Sequence, residues 1–175
     1  MVVDWANVYG WKKSLKKEVN AGKLFDYLSE YSQIKSINLY FGKDKNEKSR
    51  SFLNEAGEIG YRVITKDVKY MMGRRKCDFD LEICMDVLLN IDKYDGFVFL
   101  SGDGDFRPLY DYLIEKQKQL VVMFAKGHLG REVYGMKRAV YLFDVRRLGD
   151  VILRQKISPR NKSRGVIGNN ITKNE

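Results

Sequence analysis

Cysteine, histidine and long apolar runs are all scarce in this chain. Its two cysteines, Cys77 and Cys84, are too few and too oddly spaced for a disulfide framework or a zinc site. Their spacing puts them on one side of a helix as two small buried hydrophobes, and a reducing compartment is the default. The single histidine, His128, lies beside Gly127 at a strand-to-helix turn, where a solvated ring is the ordinary role. No apolar stretch approaches the length that spans a bilayer. Lys12, Lys13, Lys16 and Lys17 come early with no apolar segment of the secretory kind, so a cytoplasmic protein is expected.

Charge, by contrast, is plentiful. Of 175 residues 31% are charged and 44% hydrophobic, a composition that folds and fills a single domain. Basic side chains number 32 against 23 acidic ones, a net +9 that favours a polyanionic partner, nucleic acid ahead of an acidic membrane. Much of that excess is terminal. Arg154, Lys156, Arg160, Lys162, Arg164 and Lys173 face one acid, Glu175, so the body is only mildly basic. A folded domain over 1–148 and a basic, disordered tail over 149–175 are the expected division.

Short apolar runs alternate with amphipathic stretches. Strands are predicted at Met1–Val3, Ile34–Phe41, Tyr61–Ile64, Gly96–Leu100, Leu120–Phe124 and Val140–Phe143. Helices are predicted near Gly22–Tyr31, Lys48–Ile59, Asp78–Ile91, Phe106–Lys118 and Leu129–Met136. Such alternation implies an α/β fold with a mostly parallel sheet covered on both faces. Ligands of such sheets bind at the carboxyl ends of the strands.

Three segments carry the chemistry. The run Phe97–Leu100 leads into Ser101-Gly102-Asp103-Gly104-Asp105, and Pro108 sits in the first turn of the helix that follows. Asp105 suits a helix N-cap; Asp103 is then surplus, and two carboxylates at the end of a core strand repel unless a cation lies between them. Asp4 ends the first strand, with Asn7 three residues on, a pattern that also opens ordinary loops. On a helix laid over 76–91, Cys77, Leu81, Ile83, Cys84, Val87, Leu88 and Ile91 share one broad apolar face with Asp80 inside it. A carboxylate there needs a cation, a hydrogen-bond cluster or a buried basic partner.

Asp4-Trp5-Ala6-Asn7, Lys76-Cys77-Asp78-Phe79-Asp80 and Ser101-Gly102-Asp103-Gly104-Asp105-Phe106-Arg107-Pro108-Leu109 together resemble the NYN domain, in the LabA-like branch of the PIN-like ribonuclease superfamily. The resemblance covers about 1–148. It implies a three-layer, Rossmann-like (PIN-like) fold with a central sheet of five to six strands, binding Mg²⁺ or Mn²⁺ and hydrolysing RNA phosphodiesters. Carried over by position, Asp4, Asp80, Asp103 and Asp105 become the catalytic, metal-holding acids, with Asn7 and Ser101 as supports. Asp86 matches a further acid of this branch, although helical geometry turns it from the core. Trp5 stands where the family more often has a small or polar residue.

RNA is the expected partner. Lys66, Lys69, Tyr70, Arg74, Arg75 and Lys76 form its approach, or else an ordinary solvated basic loop. A homodimer is left open. Ala6 fills the second position of the D-x-D that a haloacid-dehalogenase-type phosphatase needs after its first strand. Asn7-Val8-Tyr9-Gly10 is not a dinucleotide-binding glycine loop. The remaining rival is a PIN-like module that binds RNA or protein without cutting.

Overall fold

The computed structural model describes residues 1–154, and of Arg74 and Arg75 the backbone alone. In chain order the elements are β1 (Val2–Asp4), α1 (Trp5–Gly10), α2 (Lys12–Leu15), α3 (Ala21–Ser29), β2 (Asn38–Lys43), α4 (Glu47–Ile59), β3 (Arg62–Asp67), β4 (Lys69–Met71), β5 (Arg74–Lys76), α5 (Asp80–Leu89), β6 (Gly96–Leu100), α6 (Arg107–Glu115), β7 (Gln119–Phe124), α7 (Arg131–Tyr134) and β8 (Tyr141–Asp144). Short 3₁₀ turns at Ile91–Lys93, Gly104–Phe106 and Val145–Leu148 complete the order.

Six strands form one sheet in the order β3-β2-β1-β6-β7-β8, every neighbouring pair parallel. The period of two along each strand divides the side chains between two cores. Val3, Leu39 and Leu100 face one side, beneath Trp11, Leu24 and Ala56 of the α1–α4 layer. Val2, Tyr40 and Phe99 face the other, beneath Ile83, Val87, Tyr110 and Leu113. Burial on both faces explains why the strands read as continuous apolar runs rather than alternating ones. The result is the expected three-layer α/β fold. Strand order reverses between β1 and β6, so the connections that leave their carboxyl ends run to opposite faces of the sheet and leave a crevice there.

Some elements depart from the expectation. The short first run is a central strand, hydrogen-bonded to β2 and β6 on either side. The Asp4–Asn7 segment opens a helix: the Asp4 carboxylate accepts hydrogen bonds from the backbone N–H of Ala6 and Asn7, and α1 starts at once. The basic stretch 69–76 is a hairpin, β4 against β5. Met72 (φ 49°) and Gly73 (φ 72°) both occupy left-handed conformations, as a two-residue turn of the I′ kind requires.

Helix α5 starts at Asp80, not at residue 76, so Cys77 and Cys84 do not share a helical face; both are half-buried. Its buried stripe is Ile83 and Val87, displaced toward Asp86, while Leu81 (71% exposed) and Leu88 (39%) turn outward. Asp86 is the reason. Its carboxylate accepts hydrogen bonds from Asn38 Nδ2 at 2.7 Å and the Tyr40 hydroxyl at 2.5 Å, with Arg62 at 3.6 Å. These contacts rotate the helix about its axis.

The folded body also runs beyond residue 148. Ile152 and Leu153 are buried, Leu153 forms a bridge with Val19, and the N–H groups of Asn20 and Arg154 donate to the carbonyls of Ile152 and Glu18. The remainder of the expected tail, residues 155–175, lies outside the described residues. A chain ending at 148 should therefore lose about 3 kcal/mol or more relative to one ending at 154, since two apolar side chains lose their burial. Urea denaturation of the two forms measures the difference, and equal stability would contradict this boundary.

Candidate active site

The acids gather at the crevice between β1 and β6. Asp4 is fixed by its own cap: Oδ1 is held by Ala6 N at 3.1 Å and Asn7 N at 3.3 Å, while Oδ2 accepts the Ser101 hydroxyl at 3.3 Å. Ser101 is fully buried, and its Oγ also accepts the N–H of Asp103 at 3.4 Å. One hydroxyl thus ties the acid after β1 to the loop after β6. Asp103, rather than Asp105, is the cap of the 3₁₀ turn that follows, its Oδ1 accepting Asp105 N at 3.1 Å. Local capping therefore explains one oxygen of Asp4 and one of Asp103, not the convergence of the two carboxylates.

Asn7 acts at one remove. Its Oδ1 accepts Trp11 Nε1 at 2.9 Å and the N–H of Gly102 at 3.5 Å, which ties α1 to the loop after β6. That loop has no spare room. A Cβ on Gly102 would stand 1.6 Å from the carbonyl oxygen of His128, and Gly102 O accepts Gly130 N at 2.7 Å. The ring of His128 is half-buried beside Gly10 and takes no place among the acids.

Asp4, Asp78, Asp80 and Asp103 line one open cleft of about 840 Å³. Asp80, at the first position of α5, has its carboxyl pushed up to about 6 by burial, then by the negative charges of Asp103, Asp78, Asp4 and Asp105. Asp4 is also raised, by burial first and by Asp103 in small part, against the hydrogen bonds from Asn7, Ser101 and Ala6. Near them the Tyr110 hydroxyl is buried without a hydrogen-bond partner among the described residues. Burial raises its pKa, and so do Asp103 and Asp4.

Not every expected residue joins this group. Asp105 is exposed and outside the cleft lining, though its charge reaches Asp80. Asp86 lies in the small recess at the amino ends of the strands with Asn38 and Arg62, so it is a structural hub and not a support of the site. Lys66 is engaged by Glu82 at 2.6 Å and lies over the Phe79 ring. Lys69, Tyr70 and Lys76 are exposed on the hairpin, which is linked to the cleft by the Tyr70 hydroxyl bonding Asp44 at 2.5 Å. Two parts of the lining escaped the sequence reading. Asp78 precedes α5 in a stretch mistaken for helix, and Trp5, Phe41 and Phe52 come from three separate elements.

Among the described residues no three His, Cys, Asp or Glu side chains already stand close enough to hold a metal ion together. The donor chemistry nonetheless fits a hard divalent cation, because the converging groups are carboxylates, and burial followed by the negative charge of Asp103 raises the pKa of both Asp80 and Asp4.

A parallel α/β sheet with carboxylates at its topological switch point defines the class of Rossmann-like, acid-bearing domains. Within that class the chain belongs to the NYN domain family, which matches residues 1–139, and its NYN domain is of the LabA-like kind. The low amplitude and bright protein LabA of Synechococcus elongatus is 29% identical over 134 residues, 71% of this chain and 72% of that protein. A crystal structure of a protein of unknown function from Vibrio parahaemolyticus superposes with a TM-score of 0.73 at 21% identity, covering 87% of this chain and 93% of the other, a likeness of fold. Among the described residues no helix is long and apolar enough to cross a membrane.

The raised carboxyl of Asp80 sets a pH dependence. Its folded pKa of about 6 lies above the ordinary value of 3.8, so the folded chain binds the proton more tightly and stability falls as pH rises through that window. In chelator, Asp80→Asn should raise the melting temperature at pH 7 and flatten its decline between about pH 4 and 6. A melting temperature lowered by many degrees would mark Asp80 as a structural hydrogen-bond partner instead.

Proposed function

We propose that this protein is a metal-dependent endoribonuclease whose acids are Asp4, Asp80 and Asp103, with Asp105 at the rim. The observation that carries this reading is the meeting of carboxylates from three distant parts of the chain in one cleft, where the charges of Asp103 and Asp4 add to burial in raising the proton affinity of Asp80. Like charges so placed disfavour one another unless a cation neutralises them. NYN membership supports the same reading.

Asp4, Asp80 and Asp103 would hold Mg²⁺ or Mn²⁺. Bound there, such an ion supplies an activated water and offsets the charge that builds on a phosphodiester under attack. The chain's own contribution is to hold its ligands in place. Oδ1 of Asp4 and Oδ1 of Asp103 are spent on backbone N–H groups, which fixes each carboxylate; Oδ2 of Asp103 is left for the site, and Oδ2 of Asp4 faces it while accepting the Ser101 hydroxyl. Ser101 sets the spacing of these two acids, and Asn7 holds Gly102. Asp80 enters from α5, the one acid of the three with no cap to hold. RNA approach falls to the hairpin residues Lys69, Tyr70, Arg74, Arg75 and Lys76, by phosphate contacts that weaken with salt.

Labelled single-stranded RNA incubated with Mn²⁺ tests this directly. The parent chain should cut it, EDTA should abolish cutting, and Asp103→Asn should reduce it by about 100-fold or more, the scale of losing one charge-stabilising group at a reacting centre. Equal cutting by parent and variant would place the activity elsewhere. Retained RNA binding without cutting would leave a binding module. With two ions the products carry a 5′-phosphate and a 3′-hydroxyl; a cyclic phosphate would exclude that mechanism.

A further inference from the structure

Asp4, Asp78, Asp80 and Asp103 form one part of the cleft lining. Another part is Trp5, Phe52 and Phe41. Ring centroids lie 4.8 Å apart for Trp5 and Phe52 and 4.7 Å apart for Phe41 and Phe52, at interplanar angles of 33° and 42°. Trp5 is 7% exposed, packed into the α1–α4 core, and Phe41 and Phe52 are half-buried against it, so the array is held by the fold and its remaining surface lies on the cleft. Asp44 and Ser49, which also line this part, are engaged with each other: Asp44 N donates to Ser49 Oγ at 2.9 Å.

We propose that this aromatic part is a nucleobase subsite, which takes one unpaired base of a single-stranded RNA whose phosphate lies at the aspartates. The proposal deepens the nuclease reading and rests on it for the placement of the phosphate. Three features carry it. Trp5 follows Asp4 directly, so the wall and the acid spring from Cα atoms about 3.8 Å apart, within the span between the base and phosphate of one nucleotide. A cleft of about 840 Å³ exceeds what a cation and its ligands occupy and lies in the range of sites that bury a small organic group.

The charge pattern is the third feature. Asp4, Asp78, Asp80 and Asp103 make their part of the cleft hostile to a bare phosphate and suited to one bridged by a cation, while the rings of Trp5, Phe41 and Phe52 carry no charge. Lys48, exposed in the first turn of α4, lines the cleft without an ion pair among the described residues. Lys12 and Arg154 are less available, standing 3.9 Å and 3.6 Å from Glu18. A flat ring and a cation-bridged phosphate together describe a nucleotide. Base-to-aromatic stacking tolerates any base, whereas a base inside a duplex is already stacked and cannot enter a recess.

The test uses probes with no phosphodiester to cut. In Mg²⁺ the full chain is titrated with adenosine 5′-monophosphate and, separately, with ribose 5-phosphate, and tryptophan emission is followed. Trp5 borders the cleft whereas Trp11 is fully buried, so quenching reports on Trp5. The nucleotide should quench saturably and bind roughly 5- to 100-fold more tightly than the sugar phosphate, the range that one stacked base supplies. Trp5→Phe should remove the quench, and Phe52→Leu should weaken nucleotide binding while leaving the sugar phosphate unaffected. Equal affinities, a quench that survives in Trp5→Phe, or no binding of either probe overturns the subsite. Base-dependent binding by a chain that never cuts RNA keeps the subsite and removes the nuclease reading; cutting without base dependence does the reverse.

Discussion

The buried hydroxyl of Ser101 receives the N–H of Asp103 and donates to Asp4, and through it two acids ninety-nine positions apart are held at one place. Around that contact the structure arranges everything else of interest. A serine at the end of a core strand is affordable only because both its donor and its acceptor are used. Asn7 and Gly102 lock the same junction from the side, and the closeness of His128 to Gly102 leaves no slack in it. Asp4 and Asp103 cannot relax apart, because one ends a strand of the sheet, the other follows one, and each has one oxygen on a capping bond. Asp80 faces them from α5, and its raised pKa records burial first and then their negative charge.

Charge divides the cleft lining. Part of it is crowded with carboxylates near a tyrosine hydroxyl that has no hydrogen-bond partner among the described residues, and part is a tilted array of rings. The two parts are continuous because α1 begins on the residue after Asp4, so the first side chain of the helix is the first ring of the wall. The hairpin β4–β5 joins the same rim through Tyr70 and Asp44, and the strap of residues around Leu153 ends at it with Arg154.

Much of the fold was legible in the chain. Six apolar runs became six strands in the expected places, because a strand buried on both faces must be apolar throughout. Asp4 and Asp103 were legible because each ends such a run, where the chain must emerge at the carboxyl edge. Helix α1 and the hairpin were missed for different reasons: the helix is short and capped by a residue already given to the site, and the hairpin strands are three residues each, too short for alternation to announce them. The reading of α5 failed in phase. Periodicity alone centred its buried face on the apolar residues, whereas Asn38, Tyr40 and Arg62 draw Asp86 inward and turn Leu81 and Leu88 out.

The chain by itself determined the layers, the parallel sheet and which acids stand at strand ends, since those follow from local hydrophobic pattern and from where a buried run must stop. Only the tertiary structure decided that Asp78 joins the acids, that Asp105 stays at the rim and Asp86 leaves for the opposite edge, and that Trp5, Phe41 and Phe52 form one wall. Those outcomes depend on the rotation of a helix and on contacts between elements distant in sequence, which local pattern does not encode.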